Sequence, residues 1–235
     1  MERRTPVFIV CSPLPRVGKT LIAQLLVEFF AVDGRPVAAF DVNPDGYALA
    51  AQLPERTTVA NIAGTKGQMA LFDQLILANE TAKVVDLGYG SFEPFFSVMH
   101  DIGFIAEAER RTVVPVALFI AEPDPRSTRA YAKQRQRFPE LSFVPVFNAG
   151  TSAEARARGG TKSDFAGIPL YVPALPPALK AAVAQVGFSA ALADHTSAAA
   201  QDELLTWVRR IFLQFRELEL RLLLEQIKPA LRMRA

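Results

Sequence analysis

Residues 6–20, Pro6-Val7-Phe8-Ile9-Val10-Cys11-Ser12-Pro13-Leu14-Pro15-Arg16-Val17-Gly18-Lys19-Thr20, run from an unbroken apolar segment into Gly-Lys-Thr. Pro6–Cys11 has the length and composition of a strand buried on both faces. Beyond the loop, Leu21, Ile22, Leu25, Leu26, Phe29 and Phe30 repeat as an amphipathic helix does, and Gly34 marks its end. Strand, loop and helix therefore meet at Gly18-Lys19-Thr20. The free N–H groups of a helix start favour an anion, a lysine there reaches phosphate oxygens, and a threonine hydroxyl can sit on Mg²⁺. The stretch predicts a phosphate-binding loop. A tight turn with an accidental Gly-Lys-Thr is the competing reading, and the order of elements ranks it lower.

The loop departs from the usual pattern. Glycine is expected five residues before Gly18, where Pro13 stands, and Pro15 is a second proline inside the loop. Each proline removes a backbone N–H and fixes φ near −65°, so the cradle has fewer donors and less freedom.

The chain has 235 residues, half of them apolar, which is enough for one sizeable core, and we expect a single domain over residues 1–235. A net charge of +2 implies neither a nucleic-acid partner nor an acidic substrate. The lone Cys11 has no disulfide partner, which fits a reducing cytoplasm, and a buried strand-end thiol is preferred to a nucleophile. His100, His195 and Cys11 are too few for a structural zinc site. The basic start, Met1 to Pro6, precedes an apolar run too short for a secretion signal, and no stretch is long enough to cross a bilayer.

Apolar runs alternate with helical patterns along the chain, the signature of parallel βαβ units. Strands are expected at Arg35–Asp41, Lys83–Leu87, Val113–Ile120, Phe143–Phe147 and Ile168–Val172, with helices near Tyr47–Leu53, Lys66–Leu77 and Phe92–Arg110. Pro115 and Pro145 argue for irregular or edge-like strand starts. The Ala/Gly/Ser/Arg-rich stretch between Asn148 and Gly167 reads as a mobile surface loop. A long last helix is expected from Thr196 or Ser197 to Pro229, in which Leu204, Val208, Ile211, Phe215, Leu218 and Leu222 form one buried stripe. It would pack on the sheet domain or on a second copy.

Asp41 and Asp86 each end an apolar strand, the position where ligands gather in an open parallel sheet. Asp86 stands where a carboxylate would hold Mg²⁺ opposite Thr20, the alternative being a turn or helix-cap role.

Val7–Gly46 together with Val84–Gly88 resembles the ParA/MinD family of P-loop ATPases with a deviant Walker A loop. Phe40-Asp41-Val42-Asn43-Pro44-Asp45-Gly46 resembles the family's Asp-x-Asp-Pro-Gln-Gly strand end. Val146-Phe147-Asn148 resembles the strand-end asparagine that reads adenine, and Ile168–Pro176 the later loop beside the base. The resemblance implies a three-layer α/β P-loop NTPase fold with a mainly parallel sheet. It also implies ATP or ADP with Mg²⁺ as ligands, and a homodimer that positions or partitions DNA or protein cargo. It places Leu14, Pro15, Arg16, Val17, Gly18, Lys19, Thr20 and Leu21 around the phosphates, Asn148 and Pro173 at the base, and Thr20 and Asp86 on the metal. Lys19, Asp41 and Asn43 take the family's catalytic positions. The family's signature lysine falls on Leu14, two glycines fall on Pro15 and Arg16, and the second aspartate falls on Asn43, which cannot act as a base. Hydrolysis is therefore expected to be slow or absent. Arg16 replaces the missing lysine or is simply an exposed loop residue, and the sequence leaves both open.

Two further functions stand beside this one. Val17-Gly18-Lys19-Thr20 also resembles dethiobiotin synthetase-like enzymes, but only Tyr89, Ser91 and Glu93 offer nearby substrate groups, while Phe92, Phe95 and Phe96 suit packing or a protein contact. A nucleotide-independent interaction protein on a degenerate ATPase fold is the third. Arg126, Arg129, Lys133 and Arg137 share one helix face, read as a solvated face in preference to a DNA patch, with Arg156, Arg158 and Lys162 adding a little to the latter. The mixed charge of the last helix argues against a membrane partner. Lys66, Asp73, His100 and Trp207 are read as ordinary surface or core residues.

Overall fold

The computed structural model describes residues 4–151, 164–180, 183, 188 and 198–232. The stretch carrying Arg156, Arg158 and Lys162, and the helix start at Thr196 or Ser197, lie outside the described residues. The chain divides into two compact units, Met1–Ala174 and Leu175–Ala235.

The first unit is built on strands β1 (Thr5–Cys11), β2 (Val37–Val42), β3 (Thr57–Val59), β4 (Ala82–Leu87), β5 (Val113–Ile120), β6 (Ser142–Asn148) and β7 (Leu170–Val172). They form one sheet in the order β3-β2-β4-β1-β5-β6-β7, and every neighbouring pair is parallel. Its helices are α1 (Lys19–Val32), α2 (Ala48–Gln52), α3 (Thr65–Leu75), α4 (Phe92–Asp101), α5 (Phe104–Arg110) and α6 (Pro125–Arg137). Alternation along β1 sorts the layers. Val7, Ile9 and Cys11 join a core with Phe72 of α3, Phe95 of α4, Phe104 of α5 and Tyr131 of α6. Phe8, pointing the other way, meets Phe30 of α1 at 5.8 Å between ring centres. This is the three-layer α/β arrangement the sequence predicts.

Local chemistry sets the ends of the helices. α1 stops in a Schellman motif: Gly34 has φ of 66°, its N–H donates to Ala31 O, and the Arg35 N–H donates to Phe30 O. α6 begins with Asp124 as cap, its carboxylate accepting the Arg126 N–H at 2.8 Å, and with Pro125 at the first helical position.

Four expectations need correction. β3 was not foreseen. The aromatic-rich segment is two helices, because Gly103 takes a left-handed φ of 62° between them. β5 and β6 are interior strands, with Pro115 in register against Val7 and Pro145 against Phe119. A proline subtracts one N–H from a ladder, and burial of both strands keeps the register despite that loss. The last helix passes Pro229 and ends at Arg232, since one lost backbone bond near a helix end does not stop the turns around it.

The second unit contains that C-terminal helix, Ala198–Arg232. The stripe of Leu204, Val208, Ile211, Phe215, Leu218 and Leu222 is buried as its spacing predicts. Trp207 stacks on Phe188 at 5.7 Å with the rings nearly parallel. Among the described residues, no helix is long and apolar enough to cross a membrane.

Candidate phosphate-binding site

β1 and β4 are neighbours, yet the chain leaves them in opposite directions: β1 continues through α1 to β2, and β4 through α4 and α5 to β5. The crevice at such a switch point is where open α/β sheets bind ligands. The loop Ser12–Gly18 lies at the end of β1, and Asp41 and Asp86 sit side by side in register at the ends of β2 and β4.

Lys19 is buried, 8% exposed, and its Nζ donates to the carbonyl of Leu14 at 2.7 Å. Burial pushes its pKa down, and the Asp86 carboxylate partly opposes that shift. Beside it, the Thr20 hydroxyl donates to Asp86 Oδ2 at 2.6 Å. Asp86 is 2% exposed, and desolvation raises its carboxyl to about 6, against the opposing bond from Thr20. Burial also pushes the Cys11 thiol well up, so it is a core group and not a nucleophile.

The loop backbone shows what the prolines remove. Pro13 and Pro15 have no N–H, and that of Leu14 turns to Ser12 Oγ at 3.3 Å. An anion is left with the helix start, where the first turn of α1 has no internal acceptors, together with the Lys19 ammonium. Arg16 is exposed and holds φ of 58°, a left-handed conformation that costs an ordinary residue about 1–2 kcal/mol. Gly18, at φ of 89°, caps α1. Leu14 and Val17 are buried, Pro15 is exposed and Leu21 is half-buried.

The strand-end residues are held in local turns. Asp41 is fully buried, and its carboxylate accepts backbone N–H groups from Asn43 at 3.2 Å, Leu49 at 2.9 Å and Ala50 at 3.1 Å. Burial raises its pKa and these bonds oppose the rise; the carboxylate thus ties β2 to the start of α2. Asn43 closes its own turn, donating to Gly46 O at 3.1 Å and accepting from the Asp45 N–H at 3.3 Å. A Cβ on Gly88 would stand 2.9 Å from Asn43 Cα, so glycine lets the β2 and β4 loops touch.

Asn148 is 3% exposed; its Nδ2 donates to Val17 O at 3.2 Å and its Oδ1 accepts the Gly150 N–H at 3.0 Å. Pro173 is half-buried and follows Val172, which pairs with Asn148. One residue went unforeseen. Glu122, just beyond β5, is 4% exposed and accepts the Thr151 hydroxyl at 2.7 Å, with its pKa raised by burial. The apolar run Val113–Ala121 before it is the same kind of signal as the apolar run that ends in Asp86.

The other candidates resolve plainly. Phe92, Phe95 and Phe96 are buried packing residues, Tyr89 is exposed, and Glu93 pairs with Lys133 at 2.9 Å. On the same face Arg126 meets Asp124 at 3.3 Å and Arg137 lies 3.9 Å from Asp101, so three of its four cations have carboxylate neighbours.

The oxygens of Thr20 and Asp86 suit a hard cation such as Mg²⁺, which keeps several waters and needs few protein ligands. The buried Lys19 beside a helix start suits phosphate.

No protein-family model and no curated protein matches the chain. Solved structures do match it in fold. A ParA family ATPase from Chlorobium tepidum TLS superposes with a TM-score of 0.52 at 11% identity, over 88% of this chain and 98% of that one. A nucleotide-binding protein from Archaeoglobus fulgidus, in complex with ADP, gives a TM-score of 0.49 at 14% identity, over 77% of this chain and 86% of that one. The chain has the fold of a ParA family P-loop ATPase.

Proposed function

We propose that the chain binds the phosphates of ATP or ADP at Gly18-Lys19-Thr20, with Mg²⁺ held by Thr20 and Asp86. It would serve as a dimeric nucleotide-dependent switch that positions or partitions a DNA or protein cargo, with slow or absent hydrolysis. The observation that carries this reading is the 2.6 Å Thr20–Asp86 pair beside the buried Lys19, at the switch point of the sheet. Lys19 would exchange its bond to Leu14 O for phosphate oxygens, and the N–H groups of the first turn of α1 would orient them. Mg²⁺, when bound, would neutralise phosphate charge. Thr20 and Asp86 would fix its place, which favours Asp86 in its ionised form. Slow hydrolysis follows from Asp41 and Asn43: the carboxylate is engaged by three N–H groups and the amide closes its own turn. Neither is placed to accept a proton from water.

Thermal unfolding with millimolar ADP, with and without Mg²⁺, tests the reading in wild type and Thr20→Val. We expect wild-type Tm to rise with ADP and to rise further with Mg²⁺, the second increment vanishing in the variant. An equal Mg²⁺ increment in both proteins would overturn the metal assignment. Sedimentation with ADP and with a non-hydrolysable ATP analogue tests the switch, which requires more dimer with the analogue.

A further inference from the structure

The phosphate loop is held by few bonds of its own. Leu14 N–H to Ser12 Oγ, at 3.3 Å, is a bond between near neighbours, and Lys19 Nζ to Leu14 O, at 2.7 Å, uses the group that phosphate would draw away. A support from outside the loop would outlast the Lys19 bond when a ligand binds. Asn148 provides one: its Nδ2 donates to Val17 O at 3.2 Å and fills the space a side chain on residue 18 would need. Asn148 is itself held by a turn, closed by the Thr151 N–H to Asn148 O at 3.3 Å and the Gly150 N–H to Asn148 Oδ1 at 3.0 Å. Across that turn, the Thr151 hydroxyl lies 2.7 Å from Glu122 Oε1 and 3.2 Å from Asn148 O. The backbone of Glu122 is fixed in turn, its N–H meeting Ser127 Oγ at 3.3 Å and its carbonyl accepting the Asp124 N–H at 2.7 Å.

We propose that Glu122 is a positioning residue for the phosphate loop, acting through Thr151 to hold Asn148 against Val17 and Gly18. This rests on the reading of Gly18-Lys19-Thr20 as the phosphate site. The buried carboxylate, the hydroxyl and the amide form a strut from the end of β5, across the end of β6, to the loop at the end of β1. Its action falls on the phosphate-binding backbone and not on the base. Loosening it weakens every phosphate-bearing ligand alike.

The test uses the full chain with Thr151→Val, which removes the hydroxyl, and Thr151→Ser, which keeps it. Glu122→Ala serves as a second variant should Thr151→Val not fold. Amide hydrogen exchange of the ligand-free proteins is followed over residues 12–21. Loss of one buried hydrogen bond predicts exchange faster by about tenfold there in Thr151→Val, with Thr151→Ser at the wild-type rate. Faster exchange confined to residues 148–151 would overturn the strut, whether or not the protein binds nucleotide. Calorimetry with ADP and with pyrophosphate reads the second consequence. Both affinities should fall by the same factor, again about tenfold. A fall for ADP with pyrophosphate unchanged would instead place Asn148 at the base and overturn the inference. Wild type binding neither ligand would remove the phosphate-site reading, while the exchange result still decides the strut.

Discussion

Asn148 Nδ2 lies 2.3 Å from the point where a Cβ on residue 18 would stand, and Gly18 holds φ of 89°. Two separate penalties therefore meet Gly18→Ala: the contact with Asn148, and a left-handed backbone costing about 1–2 kcal/mol. Urea unfolding should show Gly18→Ala less stable by at least about 2 kcal/mol. In an Asn148→Ala background the contact penalty disappears and only the backbone penalty remains. Strict additivity of the two substitutions would contradict this geometry.

The carboxyl of Asp86, raised by burial to about 6, keeps its proton in the folded state between about pH 4 and 6, where the unfolded chain has lost it. Folding stability from this group is present below that window and lost as pH rises through it, a total of about 3 kcal/mol. Asp86→Asn removes the slope. The ligand-free variant should gain stability relative to wild type as pH goes from 4 to 7, while losing the Mg²⁺ effect on ADP binding. A pH-independent difference between the two proteins would show that Asp86 titrates normally.

At the other end of β4, Lys83 is 2% exposed, and its Nζ donates to Leu77 O at 2.5 Å and Asn79 Oδ1 at 3.1 Å. Burial lowers its pKa to about 8. Below pH 8 the folded protein must bury a charge; above it the folded state sheds the proton while the unfolded chain keeps it up to about 10.4. Wild type should therefore gain on Lys83→Met between pH 7 and 10, in parallel thermal melts. The opposite trend would refute the shift.

Asn43→Asp places a carboxylate where the Asp-x-Asp strand end that this stretch resembles has its second aspartate, but Asp cannot donate to Gly46 O as Asn43 does at 3.1 Å. We expect a stability loss of about 1 kcal/mol and no gain in ATP hydrolysis. A measurable gain in phosphate release would instead show that Asn43 limits hydrolysis.

Much of the sheet was legible because strands buried on both faces read as continuous apolar runs, as Val7–Cys11, Val84–Leu87 and Val113–Ile120 do. Thr57–Val59 was not, being a three-residue edge strand with one neighbour and little burial. Gly103 carried the signal that splits α4 from α5, but the aromatic repeat on either side masked it. In the site, Lys19, Thr20 and Asp86 stood out by position along the chain. The turn chemistry of Asp41 and Asn43 and the reach of Asn148 to Val17, 131 residues away in sequence, required the tertiary structure. Glu122 was missed for a simpler reason: its strand-end position was visible, but its partner Thr151 was not.

The proposed phosphate site is centred on Lys19, buried at the start of α1. Calorimetric titration of the full chain with ADP, and with a non-hydrolysable ATP analogue plus Mg²⁺, should give dissociation constants on the order of micromolar. Lys19→Ala should abolish both. No heat at millimolar nucleotide, or equal binding by Lys19→Ala, would rule out a phosphate site at Lys19 and leave the chain a binding module built on an ATPase fold.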